Sequence, residues 1–272
     1  MRKYIVILLI FISFSGYSQN VSICSWNIQN FGKSKNDAEL NYIASIVKEF
    51  DLIAIQEVVA GYGGSQAVAR LADELNRRGS KWDYVISTPT SSIGSSKERY
   101  AFLWNTSRVK RTGVAWLEDN YSGQIDREPY LCQFTVGKKV FTLASFHAVP
   151  KSKQPETEIK YLKFLPDLYP DHNLIFCGDF NLPQSHTVFN PLKKMGYKSA
   201  LTGQKTSLKQ DCVNDNCLAS EYDNFYFKAD VLQVLKTGIV HFYRDFETMK
   251  DARRISDHVP VYMQLSLSVT AR

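Results

Sequence analysis

Leu174-Ile175-Phe176-Cys177-Gly178-Asp179-Phe180-Asn181 is the stretch on which the reading of this chain turns. Four apolar residues run into a glycine, and then into an aspartate and an asparagine that flank a phenylalanine. A short apolar run closed by a glycine reads as a buried strand. A core strand has no need of a carboxylate and an amide at its C-terminal end. The same grammar recurs on both sides of this stretch. Val21 to Trp26 alternates like a strand and meets Asn27. Leu52 to Val58 is an apolar run interrupted by Gln56-Glu57. Val140 to Phe146 is followed by His147. Asp223 stands just before Phe225, and Asp257-His258 stand just before Val259.

The segments between these runs complete the pattern. Asp37 to Phe50 carries apolar residues at helical spacing. Ser65 is placed to cap a helix that runs to Arg77, with Gly79 just beyond its end. Tyr84 to Ser87 and Tyr100 to Trp104 read as strands. Leu131 to Val136 and Val140 to Phe146 read as a hairpin about Gly137-Lys138. Pro155 to Leu165 reads as a helix that starts on a proline and is stopped by Pro166. Another helix is expected from Ser185 to near Gly196. Phe225 to Phe227, Val231 to Phe242 and Val259 to Leu267 are strand-like. Strands outnumber helices, and hairpins coexist with strand-helix alternation. The fold class is therefore an α/β sandwich of mixed sheets covered by helices.

The chain has 272 residues, 44% of them hydrophobic and 22% charged. That is enough for one large globular domain, and no linker-like stretch or internal repeat divides it. Arg2 and Lys3 precede an apolar run from Tyr4 to Phe14, and Gly16-Tyr17-Ser18 offers small residues beyond it. This reads as a signal peptide over residues 1–18, cleaved after Ser18 to leave a domain over residues 19–272. The apolar run is short for a membrane span, and Ile23 before Cys24 is too large for a lipoprotein site. The expected protein is secreted or periplasmic, a monomer, with no stable membrane association. Its formal charge is +6, and cleavage would remove two of those positive charges. The balance suits a polyanionic substrate. Of five cysteines, Cys212 and Cys217 are placed to close a small disulfide loop in an exported protein. Cys24, Cys132 and Cys177 lie in apolar runs as buried thiols.

The polar residues at the strand ends suit the hydrolysis of a phosphodiester. That reaction brings water to an anionic phosphorus and expels an alkoxide. Hard carboxylate and amide oxygens suit Mg²⁺ or Mn²⁺, so Glu57, with Asn27 and Asp257, is the expected metal site. His147 and His258 titrate near neutrality and fit general acid-base work. Glu98 and Asp223 are the candidate carboxylates that would orient their rings.

These residues stand in motifs that together resemble the endonuclease/exonuclease/phosphatase superfamily. The motifs run from Trp26-Asn27-Ile28-Gln29-Asn30-Phe31-Gly32 to Ser256-Asp257-His258-Val259-Pro260-Val261. Between them lie Gln56-Glu57-Val58, Lys97-Glu98-Arg99-Tyr100, Arg127-Glu128-Pro129, Ser145-Phe146-His147, Gly178-Asp179-Phe180-Asn181 and Tyr222-Asp223-Asn224. Lys-Glu-Arg-Tyr and Arg-Glu-Pro are more particular to the deoxyribonuclease I branch. The resemblance implies a four-layered α/β sandwich with the site between loops at one end of two packed sheets. It implies that Glu57 and Asn27 hold the metal and that Asp257 supports or ligates it. It pairs His147 with Glu98 and His258 with Asp223. It gives Asp179 and Asn181 the task of orienting water and phosphate, and leaves the general base open between Asp179 and the histidines. It places Arg127 on a phosphate, and it implies DNA as the substrate, Mg²⁺ or Mn²⁺ as cofactor, and structural Ca²⁺ as a further option.

Two positions depart from the branch. Its DNA-reading arginine, two residues past the metal glutamate, is Val59 here, and its groove-stacking tyrosine is Ser96. Both departures weaken the expected grip on duplex DNA. Gly61-Tyr62-Gly63-Gly64 is expected as a turn or a flexible contact loop. A phosphatase or lipid phosphodiesterase of the same superfamily, acting on inositol phosphates or sphingomyelin, is the alternative. A silent binding module is a third reading, and it would lack a histidine or the metal glutamate.

Overall fold

Period-two alternation along the strands sorts the apolar side chains into three cores. The computed structural model describes residues 20–93 and 97–266. The expected signal peptide, Ser96 and Leu267 therefore lie outside the described residues. The first sheet contains β1 (Asn20–Phe31), β2 (Leu52–Val59), β3 (Trp82–Ile86), β4 (Glu98–Asn105), β13 (Gln233–Ile239) and β14 (Val261–Ser266), in the order β13-β14-β1-β2-β4-β3. The second contains β5 (Lys110–Leu117), β6 (Tyr130–Val136), β7 (Lys139–His147), β8 (Leu174–Asp179), β9 (Tyr197–Ser199) and β12 (Asp223–Lys228), in the order β5-β6-β7-β8-β12-β9. Both are mixed: β1 pairs parallel with β2, and β7 parallel with β8, while their other pairings are antiparallel.

One core lies between the sheets. Val21 and Ile23 of β1, Leu52 and Ala54 of β2, and Phe102 and Trp104 of β4 meet Phe141 and Leu143 of β7, Ile175 of β8 and Phe225 of β12. The intervening residues point outward. Trp26, Ile28, Ile53 and Ile55 pack on helices α1 (Asp37–Val47), α2 (Tyr62–Arg77) and α6 (Met249–Ile255). Ala144, Phe146, Phe176 and Tyr226 pack on the short turns α3 (Glu156–Ile159), α4 (Leu165–Leu168) and α5 (Asn190–Lys194). Helices, sheet, sheet and helices make the four-layered α/β sandwich expected from the sequence.

Several elements differ from their expected bounds. Helix α2 begins at Tyr62 with Gly61 as its N-cap, so Gly61 to Gly64 is the start of a helix and not a contact loop. The reason is steric. A Cβ on Gly64 would lie 2.0 Å from the Val59 carbonyl oxygen, and one on Gly63 would lie 2.7 Å from Lys33 Cγ. These glycines let the helix start directly against the end of β2. The helix expected over Pro155 to Leu165 is broken into α3, a 3-10 turn at Leu162–Phe164 and α4. Pro166 opens α4 instead of stopping a longer helix, and Leu162 and Leu165 stay buried. The helix expected from Ser185 is a 3-10 turn at Thr187–Phe189 followed by α5, with Gly196 just past it at φ +91°. The strand expected over Val231 to Phe242 ends at Ile239.

The hairpin of β10 (Leu208–Val213) and β11 (Asn216–Leu218) turns through Asn214 and Asp215, both at positive φ. Asparagine and aspartate tolerate that geometry, which matches the twist of a two-residue hairpin. The Cys212–Cys217 disulfide closes it. Cys24, Cys132 and Cys177 are free and buried, and burial pushes the Cys132 thiol up to about 12.

Candidate active site

The residues read as functional occupy the next positions of the same inward-facing ladders that build the inter-sheet core. On β1 the series Val21, Ile23 continues with Ser25 and Asn27. On β7, Phe141 and Leu143 continue with Ser145 and His147. On β8, Ile175 continues with Cys177 and Asp179. On β12, read backward, Phe227 and Phe225 lead to Asp223, and on β4, Phe102 and Tyr100 lead to Glu98. The core thus turns polar at one end of the sandwich without changing face. Asn27, Glu98, His147, Asp179, Asn181, Asp223 and His258 are all buried.

Two imidazole-carboxylate pairs bridge the sheets in opposite senses. His147 of β7 places Nδ1 3.0 Å from Glu98 Oε2 of β4. His258, just before β14, places Nδ1 2.7 Å from Asp223 Oδ2 of β12. A carboxylate at Nδ1 holds the proton there and leaves Nε2 to the site. Both Nε2 atoms converge on one oxygen, Asp179 Oδ2, at 3.5 Å from His147 and 3.7 Å from His258. The same oxygen accepts a hydrogen bond from Asn27 Nδ2 at 3.1 Å, and Asp179 Oδ1 accepts one from the Asn181 backbone at 2.9 Å.

Charge follows geometry. Burial alone would raise the Asp179 carboxyl, but His258 and His147 outweigh it and hold it below its ordinary value. Burial and Arg127 push His147 down, yet the Glu98 and Asp179 carboxylates leave it raised. Burial also lowers His258, and Asp223 and Asp179 overcome that to carry it well above its ordinary value.

Glu57 reaches the site by an unusual backbone route. By alternation after Ile53 and Ile55 it should face α1 and α2. Instead Glu57 adopts φ +59°, and the register shifts at this point against both neighbouring strands. A bulge of this kind re-aims a side chain, and left-handed backbone at a glutamate costs about 1–3 kcal/mol. Glu57 Oε1 accepts a hydrogen bond from Asn27 Nδ2 at 3.1 Å, and Oε2 accepts one from the Asn30 backbone at 3.0 Å. Asn27 Oδ1 is buried with no hydrogen-bond partner. A buried acceptor left open beside a carboxylate fits a hard divalent cation. Asp179, Asp223 and His258 also offer ligand atoms within 4.8 Å of one another. There, however, Asp223 Oδ2 and His258 Nδ1 already hold each other, so Glu57 and Asn27 are the better-fitting cation ligands. Asp257, expected beside them, accepts from Gln29 Nε2 at 2.9 Å and lies 3.6 Å from Arg253 Nη2.

Arg127 is buried behind the first pair. Its Nη1 donates to Glu98 Oε2 at 3.2 Å and its Nη2 to the Ala148 carbonyl, while Nε has no partner. The Ala148 carbonyl also accepts from Asn181 Nδ2 at 3.0 Å. A groove of about 320 Å³ opens here, lined by Glu57, Val59, Lys97, Glu98, Arg127 and Lys153 among others. Val59 therefore presents an apolar wall where the resemblance would set an arginine. A larger hollow of about 530 Å³ lies beside the disulfide hairpin, and none of the expected catalytic, phosphate-binding or metal residues lines it.

Sequence reasoning passed over Thr206. Its hydroxyl donates to Asp223 Oδ2 at 2.6 Å and accepts from the Asp223 backbone N–H at 2.9 Å. Thr206 lies in a loop outside any periodic segment, so no pattern marks it. Sequence reasoning likewise gave Lys97 and Lys153 no role of their own, and only the fold brings them to one groove.

Comparisons with known proteins bear on the family and the fold. The model described as the Endonuclease/Exonuclease/phosphatase family matches residues 24–258. Deoxyribonuclease gamma of Rattus norvegicus is 29% identical over 97% of this chain and 91% of its own length. A deoxyribonuclease of Thioalkalivibrio is 28% identical over 96% of this chain and 75% of its own length. Among solved structures, an endonuclease/exonuclease/phosphatase family protein of Bacteroides thetaiotaomicron superposes with a TM-score of 0.65 at 15% identity. It covers 93% of this chain and 99% of its own, and supports the fold alone.

Proposed function

Since the chain belongs to the endonuclease/exonuclease/phosphatase family and resembles its deoxyribonuclease I-like branch, we propose that it is a secreted, divalent-metal-dependent endonuclease that hydrolyses the phosphodiester bonds of DNA with little sequence specificity. The observation that carries this reading is the convergence of both histidine Nε2 atoms on Asp179 Oδ2. Two imidazoles whose hold on a proton is strengthened by neighbouring carboxylates are placed to donate to an anionic phosphate and a departing alkoxide. Asp179, the carboxylate between them, stays ionised and is placed to take the proton of the attacking water. Asn181 fixes its other oxygen. Mg²⁺ or Mn²⁺ held by Glu57 and Asn27, with Asp257 in support, would neutralise the phosphate and the leaving oxygen. Lys97, Lys153 and Arg127 line the groove and suit a polyanionic strand, with Arg127 as the residue for a phosphate contact.

Purified protein incubated with plasmid DNA and Mg²⁺ or Mn²⁺ should nick and then linearise it without base preference, and a chelator should abolish this. Intact DNA alongside turnover of an inositol phosphate or sphingomyelin would overturn the reading in favour of the alternative. Among the described residues no helix is long and apolar enough to cross a membrane. Export is tested by N-terminal sequencing of the protein from the producing cell. A mature end at Gln19 is expected, and a retained Met1 refutes cleavage.

A further inference from the structure

Beneath the site lies a buried polar layer that the reaction does not use. Gln56 is fully buried and faces the opposite sheet. Its Nε2 donates to Ser145 Oγ of β7 at 2.7 Å and to Ser25 Oγ of β1 at 3.2 Å. Ser25 is two residues before Asn27, and Ser145 is two residues before His147. One amide therefore ties together the strands that carry Asn27, Glu57 and His147, each at the layer directly below the site.

Glu57 is the next residue after Gln56, and it needs such an anchor. Of the described non-glycine residues with positive φ, Asn30, Asn181, Asn214 and Asp215 are of types that tolerate it; Glu57 and Gln154 are not, and of these two only Glu57 lies within a strand. An unfavourable conformation of this kind persists only where its surroundings over-determine it. On the far side, Val58 is packed against the helices with Ile53 and Ile55. Gln56 is held toward the opposite sheet and Val58 toward the helices. The residue between them is forced out of alternation, and its carboxylate swings to Asn27. Were Gln56 free, β2 could relax into regular pairing, and Glu57 would turn toward α1 and α2.

We propose that Gln56 is a positioning residue: clamped to Ser145 across the two sheets, it fixes the bulge that turns Glu57 into the site, and so sets how tightly the site holds a divalent cation. The inference rests on the reading of Glu57 and Asn27 as the cation's ligands. It is a claim about metal affinity, separable from stability. A purely structural amide would, when lost, lower the melting temperature and leave the folded protein's affinity unchanged.

The test is calorimetric titration of Mn²⁺ into metal-free protein, at a temperature where circular dichroism shows each variant folded. Gln56→Met keeps the side chain's length and removes its donors. It should weaken Mn²⁺ binding about 10-fold or more, as loss of a residue that orients a metal ligand does. Ser145→Ala removes only the far anchor and should weaken it about 3-fold. If Gln56→Met does not fold, Ser145→Ala carries the test. Glu57→Gln is the control and should weaken binding most. Unchanged affinity in folded Gln56→Met and in Ser145→Ala, with weakened affinity in Glu57→Gln, overturns the inference alone. Unchanged affinity in Glu57→Gln overturns the ligand reading beneath it.

Discussion

The two imidazole-carboxylate pairs share one design and differ in what stands behind the carboxylate. In Glu98–His147 the first sheet supplies the acid and the second the base. In Asp223–His258 the sheets exchange roles. Behind Glu98 is a buried cation, Arg127, at 3.2 Å. Behind Asp223 is a neutral hydroxyl, Thr206, at 2.6 Å, and the second Asp223 oxygen is buried without a partner. Glu98 is held down by both His147 and Arg127, whereas His258 is the one cation acting on Asp223, which burial and Asp179 push up. The same pairing therefore yields two imidazoles of unequal basicity, both aimed at Asp179. His147 feels a cation behind its carboxylate, and His258 feels carboxylates alone.

The largest effects should come from removing the rings. His147→Ala and His258→Ala should each lower the rate of plasmid cleavage about 10²–10⁴-fold while the protein stays folded. A rate within a few-fold of the parent in both would break the acid-base assignment. Next in size is the loss of the buried cation. Arg127→Met breaks a buried ion pair and leaves Glu98 with His147 as its only charged partner, which should cost about 3 kcal/mol in denaturant unfolding. The matching change behind the other pair, Thr206→Val, removes one hydroxyl and should cost about 1–2 kcal/mol. Equal losses in the two variants would show that the cation and the hydroxyl do equivalent work, and the comparison would fail.

The sequence made one half of this contrast legible. Asn27, His147 and Asp179 at strand ends continue the inward-facing series of Val21 and Ile23, Phe141 and Leu143, and Ile175, so period two leads straight to them. Glu57 was found for its residue type, but its backbone was not foreseen. Alternation points it at the helices, and only contacts made on both sides of β2 reverse it. Thr206 and the open Asn27 oxygen depend on loops brought together from distant parts of the chain. Strand β5 was passed over because it starts Lys110-Arg111-Thr112-Gly113 and is largely exposed, so it has little apolar alternation to detect. Helix α6 has seven residues and depends on its Thr248 cap and the burial of Ala252 and Ile255. At Gly63 and Gly64, helix propensity argued for a later start, and the steric need for a missing Cβ decided otherwise.

The smallest expected effect is the sharpest test of the comparison. In metal-free protein both imidazoles are raised above the ordinary value of 6.5, His258 further than His147. A raised histidine stabilises the fold fully below its unfolded pKa, and that contribution is lost as pH rises through the folded pKa. Metal-free protein should therefore lose stability as pH rises above the ordinary histidine value of 6.5, in two steps. Following the ring Cε1 protons by NMR, His147 should give up its proton first, because burial opposes the charge of both rings but Arg127 opposes that of His147 alone, while Asp223, Asp179 and Asp257 all favour the charge on His258. Simultaneous titration, or His258 leading, would mean that Arg127 does not set the rings apart. If Arg127 is what separates them, Arg127→Met should raise the midpoint of His147 toward that of His258 and leave His258 nearly where it was. A shift confined to one ring, from a change behind its partner carboxylate, would trace the inequality of the two pairs to that one buried charge.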